Sequence, residues 1–300
     1  MDPATDSRVA EAWRDNRRYV LDVAYRMLGS VSDAEDIVQD AFTRLLNADI
    51  EQIGDVRGWL VTVVSRLCID QLRSARSRRE AYVGPWLPEP VIEPADQQFD
   101  PAERVTLDDS VRIALLVVLE RLTPAERAAF VLHDVFQLSF EEVGSIVGRS
   151  PAACRQLASR ARRHIQEEAG PARFDPDSVA QRRVAERFVA AANSGDLDAL
   201  LAVLDPDVVG ETDSGGMIPG APRQAVAGRE RVARLFQRNV IDAGITLAPM
   251  PVNGEAGAVG LQDGRLVAVI ALSERDGLIH HIHAIINPIK LAYVTSLLEQ

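Results

Sequence analysis

At 300 residues the chain has room for two or three domains of roughly 100–150 residues, each able to bury a core. Hydrophobic residues at 47% and charged residues at 26%, with 19 Gly and 16 Pro, exclude collagen-like and low-complexity chains, and two cysteines 86 positions apart, Cys68 and Cys154, exclude a disulfide framework or a four-thiolate metal site. The net charge of −11 counts against nucleic acid only as a total, because phosphate binding depends on local basic faces.

The first residues, Met-Asp-Pro-Ala-Thr-Asp, are acidic, and apolar runs such as Ile113–Leu119 fall far short of the ~18–20 residues that cross a bilayer. A cytoplasmic protein with no membrane segment is expected. Over residues 8–28, Val9, Trp13, Tyr19, Val20, Val23, Ala24, Met27 and Leu28 recur at helical spacing and Gly29 is a stop. Ser32 and Glu35 can form a capping box for a second helix, whose apolar positions are Ile37, Val38, Phe42, Leu45 and Leu46. A third helix is predicted over 56–82, with Trp59, Leu60, Val63, Val64, Leu67, Cys68 and Leu72 as its apolar side. Gly84-Pro85-Trp86-Leu87-Pro88-Glu89-Pro90 cannot continue a helix, and the stretch to 103 reads as a linker.

A helix over 104–121 follows, then Thr123-Pro124-Ala125-Glu126 caps another over 124–134, and Ser139-Phe140-Glu141-Glu142 caps a short one ending at Val147. Gly148-Arg149 turns the chain and Ser150-Pro151 starts the next helix, which completes a helix-turn-helix. Its buried stripe is Cys154, Ala158, Ala161 and Ile165, with Leu157 beside it; Arg155, Gln156, Ser159, Arg160, Arg162 and Arg163 face outward. Beyond Gly170-Pro171 the texture becomes α+β: helices over 176–193, 196–204, 229–240 and 289–298, and strands near 208–211, 245–252, 256–261, 265–273 and 278–287. Asp263-Gly264 and Asp276-Gly277 are hairpin turns.

Charge is segregated along the chain. From Arg57 to Arg79 six arginines stand against Asp70, net +5, and from Arg149 to Arg163 five arginines stand against no acid, again +5. Between the stripes Glu80–Ser110 carries −7, and Asp33–Asp55 carries −6. A second helix projecting Arg, Gln and Ser suits a major groove, where Arg pairs with guanine edges and Gln with adenine. A solvated, ion-paired helix hairpin is the other reading of the same stripe. Two basic stripes joined by an acidic linker suggest contact with two DNA elements at once.

Residues 8–168 resemble the bacterial sigma factors of the extracytoplasmic-function (ECF) group. The resemblance implies that the segment Asp33-Ala34-Glu35-Asp36-Ile37-Val38-Gln39-Asp40 docks on the clamp helices of RNA polymerase core through Asp33, Glu35, Asp36, Gln39 and Asp40. It implies that Arg57, Trp59, Arg66, Arg73, Arg76, Arg78 and Arg79 melt and read the −10 element. Arg149, Ser150, Arg155, Gln156, Ser159, Arg160, Arg162 and Arg163 then read the −35 element. Residues 176–298 resemble a SnoaL-like (NTF2-like) domain, a curved sheet wrapped by helices around a pocket, as in the actinobacterial subgroup whose fused tail takes over control from a separate anti-sigma factor. The marks of that subgroup are Trp86-Leu87-Pro88-Glu89-Pro90, Asn287-Pro288-Ile289-Lys290-Leu291, where Ile289 departs from the usual Asp, and Asp213-Ser214-Gly215-Gly216-Met217, where Ser and Met depart from Gly and Lys.

The expected fold is therefore multidomain: two all-α sigma domains, at 1–82 and 104–168, the second a helix-turn-helix, joined by the 83–103 linker, and an α+β NTF2-like/SnoaL-like cone at 176–300. Trp86, Leu87, Pro88, Asp213, Gly215, Gly216, Asn287 and Pro288 are the expected regulatory contacts. RNA polymerase core, promoter DNA and a small-molecule ligand in the cone are the expected partners. No cofactor, catalytic residue or metal ligand is assigned: His281 and His283 share one strand face, but no acid stands at a defined spacing from them. Two other readings are a one-component ligand-sensing DNA-binding regulator and a small-molecule cyclase or isomerase fused to a DNA-binding arm. Neither has a use for the acidic helix at 33–40.

Overall fold

The computed structural model describes residues 3–79, 82–92, 105–106, 111–168 and 178–299. The rest of the expected acidic linker, 93–103, lies outside the described residues. They form two compact units, and the fourth helix is shared between them at Val118.

The first unit holds α1 (Pro3–Leu28), α2 (Val31–Leu46), α3 (Val56–Arg79), the end of α4 (Ile113–Arg121), α5 (Pro124–Phe130), α6 (Phe140–Val147) and α7 (Pro151–Glu168). Helix α2 starts earlier than its sequence implies: Gly29 takes φ 67°, and Ser30 rather than Ser32 is the cap, its Oγ accepting from Asp33 N at 3.1 Å. The two later capping boxes, Thr123 with Glu126 and Ser139 with Glu142, are both closed. Helix α5 runs on as a π turn, Val131–Val135. Val20, Val23, Ala24, Met27, Ala34, Leu45, Leu60, Val64 and Cys68 are buried among α1–α3.

Helix α4 begins at Ile113 rather than near 104, because Thr106 is used otherwise: its backbone N donates to Asp22 Oδ1 at 2.6 Å and its carbonyl accepts from Arg26 Nη2 at 2.9 Å. Arg26 and Arg127 are both buried in this unit, and Arg127 pairs with Glu120 while donating to the Arg26 carbonyl. Buried guanidiniums persist where carboxylates and carbonyls meet their five donors.

The second unit holds residues 82–92 and 111–117, α8 (Ser178–Ser194), α9 (Leu197–Val203), α10 (Arg229–Phe236), α11 (Pro288–Leu298) and a six-stranded sheet. The strands are β1 (Leu204–Asp213), β2 (Val226–Ala227), β3 (Thr246–Pro249), β4 (Gly257–Gln262), β5 (Arg265–Arg275) and β6 (Leu278–Ile285), in the order β2-β1-β6-β5-β4-β3. Only β1 and β6 pair in parallel. Both Asp-Gly turns form, with Asp263, Gly264, Asp276 and Gly277 all at positive φ.

Strand alternation divides the sheet. Val208, Ile270, Leu272 and Ile282 face α8–α10 and bury Phe188, Val232 and Phe236 in the core of this unit. The registers Glu211↔His283, Asp213↔Ile285, Ala271↔His283 and Ser273↔His281 collect the remaining residues on the opposite face.

Candidate nucleic-acid interface and linker junction

On α2, burial of Ala34, Ile37, Val38, Ala41 and Leu45 leaves Asp33, Asp36, Gln39 and Asp40 exposed in one row. Glu35 is turned instead toward α1, its carboxylate 3.6 Å from the Arg17 guanidinium. On α3 the buried arc is Leu60, Val61, Val64, Cys68, Ile69 and Leu72. Trp59, Val63 and Leu67, expected in the core, are only half-buried and follow one another at four-residue steps.

Among the described residues, three cations of α3 make contacts inside the unit. Arg57 Nε donates to Asn16 Oδ1 at 3.0 Å and its guanidinium lies 5.1 Å over the Tyr19 ring. Arg66 Nη2 donates to the Ser145 carbonyl of α6 at 2.9 Å, and Arg73 pairs with Asp70 at 3.2 Å. The side chains of Arg76, Arg78 and Arg79 lie outside the described residues.

In the helix-turn-helix, Gly148 takes φ 71°, and a Cβ on Gly144 would stand 2.7 Å from the Arg149 carbonyl, so both glycines are required for the tight turn into α7. Ser150 Oγ accepts from Ala153 N at 3.3 Å and starts α7. Cys154, Ala158 and Ala161 are buried, while Ile165 and Leu157 are half-buried. Arg149, Ser150, Arg155, Gln156, Ser159, Arg160, Arg162 and Arg163 are all exposed. Arg162 pairs with Asp134 at 2.6 Å, and Arg155 lies 5.2 Å over the Phe140 ring.

In the second unit the segment after α3 is packed rather than loose. Leu87, Pro88, Glu89, Pro90, Val91 and Ile92 are all buried. Asp213, 0% exposed at the end of β1, accepts from Tyr82 Oη, from Leu87 N at 2.8 Å and from Lys290 Nζ at 2.7 Å. Lys290 also donates to the Leu87 carbonyl, and its ammonium lies 3.9 Å from the centre of the Trp86 ring. Burial, and then the Asp213 carboxylate, push the Tyr82 phenol up, which keeps it a donor. Asn287 caps α11 through Ile289 N and donates to Tyr82 Oη at 2.9 Å.

A Cβ on Gly215 would stand 2.7 Å from Asn287 Nδ2, and one on Gly216 would stand 2.9 Å from Val83 Cβ; both glycines take positive φ. Trp86, Leu87, Asp213, Gly215, Gly216 and Asn287 thus meet, with buried Pro88 beside them. Pro288 does not join them: it is the exposed first residue of α11, where a missing N–H is harmless.

Residues 12–78 match the family Sigma-70 region 2, residues 112–165 match Sigma-70, region 4, and residues 185–274 match the SnoaL-like domain. The chain is 43% identical to the probable ECF RNA polymerase sigma factor SigI of Mycobacterium tuberculosis over 283 residues, 93% of each chain. It is 45% identical to SigJ of the same organism, over 91% of this chain and 90% of that one. This chain is an ECF sigma factor. The crystal structure of Mycobacterium tuberculosis SigJ covers 92% of the sigma factor described here at a TM-score of 0.73 and 41% identity, with 95% of that chain covered. As a member of this family the chain directs RNA polymerase to promoters, and the relatives that span it are sigma factors rather than enzymes. Among the described residues no helix is long and apolar enough to cross a membrane.

Two residues of this sigma factor's junction escape a sequence reading. Lys290 lies inside the quoted Asn-Pro-Ile-Lys-Leu pattern, and its role shows only when α11 brings it to Asp213. Asn253, at φ 52°, gives no sequence signal beyond a turn-forming Asn-Gly. Its Oδ1 accepts from Val91 N at 2.9 Å, its own N donates to the Val91 carbonyl at 2.8 Å, and its Nδ2 donates to the Val111 carbonyl at 2.7 Å. An Ile92–Val252 bridge and an Arg112–Glu255 ion pair at 3.5 Å flank it. Two of the departures from the subgroup pattern are exposed, Ile289 at 70% and Met217 at 44%, whereas Ser214 is buried and its Oγ accepts from Gly216 N at 3.2 Å.

Proposed function

We propose that the SnoaL-like unit restrains this sigma factor in cis by clamping the segment that joins its two DNA-reading domains. The exposed acidic row of α2 docks on the clamp helices of core polymerase, residues 1–82 open and read the −10 element, residues 104–168 read the −35 element through α7, and residues 176–300 control both from the cytoplasm in which polymerase works. The observation that carries this reading is that one side chain, Asn253, binds both Val91 and Val111, two points 20 positions apart within the stretch between α3 and α4.

A factor that reads two promoter elements at once has to separate α3 from α6, where Arg66 now bonds Ser145. A connecting segment fixed at two points has less chain to give to that separation. The junction therefore favours the closed form by whatever free energy its contacts supply, and only a ligand with different affinities for the two forms shifts the balance. A small molecule entering between the sheet and α8–α10 would have to displace core side chains such as Phe188 and Phe236, and would act through β1 on Asp213.

The test is in vitro transcription with core polymerase on promoters selected from a random library, comparing the full chain with Asn253→Ala and Asp213→Asn. Promoter-specific transcript only with factor, rising in both variants, supports the reading. Unchanged yield from soluble variants overturns the clamp, and a fall reverses its sign.

A further inference from the structure

On the sheet face opposite α8–α10, and apart from the linker junction, β1 and β6 bring three metal-ligating side chains together. The parallel register sets Glu211 directly beside His283, and the two-residue period of β6 puts His281 on the same face. Glu211 Oε2 lies 3.2 Å from His281 Nε2 and 3.5 Å from His283 Nε2. The imidazole rings are stacked, with centroids 4.2 Å apart and planes 13° from parallel, and each sets its Nε2 against the same Glu211 oxygen. All three donor atoms lie within 4.8 Å of one another.

We propose that Glu211, His281 and His283 are a binding site for a first-row divalent cation of borderline softness, zinc foremost. A tetrahedral zinc ion with bonds of about 2.0–2.1 Å holds its donors about 3.3–3.4 Å apart. The two nitrogen–oxygen separations already match those edges, and with both strands in place the stacked imidazoles have to tilt toward a common point for both Nε2 atoms to meet one ion. Two imidazoles and one carboxylate suit Zn²⁺, Fe²⁺ or Ni²⁺ and are a poor set for Mg²⁺ or Ca²⁺, which take oxygen ligands.

Two further observations fit the same site. The side chain of His281 is 28% exposed and that of His283 3%, so the cluster has a closed floor and an open mouth; three protein donors leave a coordination position for water or a small anion. Ser273, paired with His281 across β5 and β6, adds a buried hydroxyl with no hydrogen-bond partner among the described residues on this face. Outer-shell hydroxyls of this kind hold metal-bound water.

The alternative is a plain hydrogen-bonded Glu–His cluster with no ion, and the two differ in what they bind. Full-length protein, stripped with a chelator and dialysed, is titrated calorimetrically with Zn²⁺ alone, and Co²⁺ is used for absorption spectra. One equivalent of zinc is expected, with a four-coordinate cobalt spectrum, no comparable heat from Mg²⁺, and a thermal unfolding transition that rises with zinc concentration. His281→Ala, at a half-exposed position that leaves the sheet core intact, and Glu211→Gln should each weaken zinc at least about tenfold. Uptake below a tenth of an equivalent by the unaltered chain overturns the proposal. So does undiminished binding by both variants, which would place the ion elsewhere. The proposal stands or falls separately from the transcriptional clamp, because its readouts are binding and spectroscopy.

Discussion

Asp213 and Lys290 meet at 2.7 Å with almost no solvent on either: the aspartate is 0% exposed and the lysine 7%. A pair this deep gains little net stability over apolar side chains, but removing one partner strands a buried charge. Asp213→Ala should therefore destabilise the second unit by about 3–5 kcal/mol. The joint replacement Asp213→Leu with Lys290→Met should recover most of that loss. Urea unfolding followed by Trp86 fluorescence, in a background lacking Trp13 and Trp59, reads this unit, since Trp86 stacks on Lys290. Equal stability of the single and double variants would show that the pair is not coupled.

Asn253 makes three hydrogen bonds with Val91 and Val111, each worth about 1 kcal/mol net. Replacing it by Gly keeps the positive φ and removes the two side-chain bonds, so it separates the clamp from backbone strain. Amide exchange at Val91 should then accelerate roughly 10–30-fold, from a local loss of about 1.5–2 kcal/mol. Asn253→Ala, which adds strain at φ 52°, should exceed it. Protection at Val91 equal to that of the unaltered chain would mean that the Ile92–Val252 bridge alone holds the segment.

The helices, the hairpin turns and the helix-turn-helix were legible in the sequence because each rests on local chemistry. Capping boxes at Thr123 and Ser139, the Gly148 turn and the Asp-Gly turns act within four residues of themselves. What local pattern missed is set by distant neighbours. Thr106 leaves the helix for Asp22, 84 positions away, and β2 exists only as the two-residue partner of β1. The same holds for the sites: the quoted motifs contained Asp213, Asn287 and Trp86, but the third metal ligand, Glu211, lies 70 positions from His281 and becomes its neighbour only through the parallel β1–β6 pairing.

The Ser139–Glu142 box carries a pH signature. Hydrogen bonds from Ser139 hold the Glu142 carboxyl below its usual 4.5. A carboxyl with a lowered folded-state pKa contributes stability above its unfolded value and loses it as pH falls. Ser139→Ala should cost about 1 kcal/mol of first-unit stability at neutral pH, and the gap to the unaltered chain should narrow below about pH 4.5. Denaturant midpoints measured from pH 7 to 3 check this; a gap that stays constant would leave the cap to the hydroxyl alone.

In α7, Gln156 and Arg163 should fail differently. Gln156 lies in the N-terminal half of the recognition helix, where side chains reach base edges, so Gln156→Ala should weaken binding by about 1–3 kcal/mol at one base pair and relax preference there. Arg163, further along and only loosely paired with Glu167 at 3.9 Å, is placed for phosphate. Arg163→Ala should weaken all promoters alike and lower the salt slope by about one. Holoenzyme binding to promoters varied across the −35 element separates the two, and a sequence-dependent effect of Arg163→Ala would reassign it to base reading.

The Arg66–Ser145 bond ties the helix expected to open the −10 element to the helix-turn-helix in one compact unit. If reading two elements requires that unit to open, a covalent tether across the contact should abolish promoter-dependent transcription while the exposed acidic row of α2 remains free for polymerase. Cysteines at positions 66 and 145 joined by a cleavable bis-maleimide provide that tether. The native thiols do not interfere, because Cys68 and Cys154 are both buried and burial pushes each thiol up, away from the reactive thiolate. Core binding by the tethered chain should persist, transcript should vanish, and cleaving the tether should restore it. Full transcription from the tethered factor would mean that α3 and α6 stay together on the promoter, and that the clamp at Asn253 controls something other than their separation.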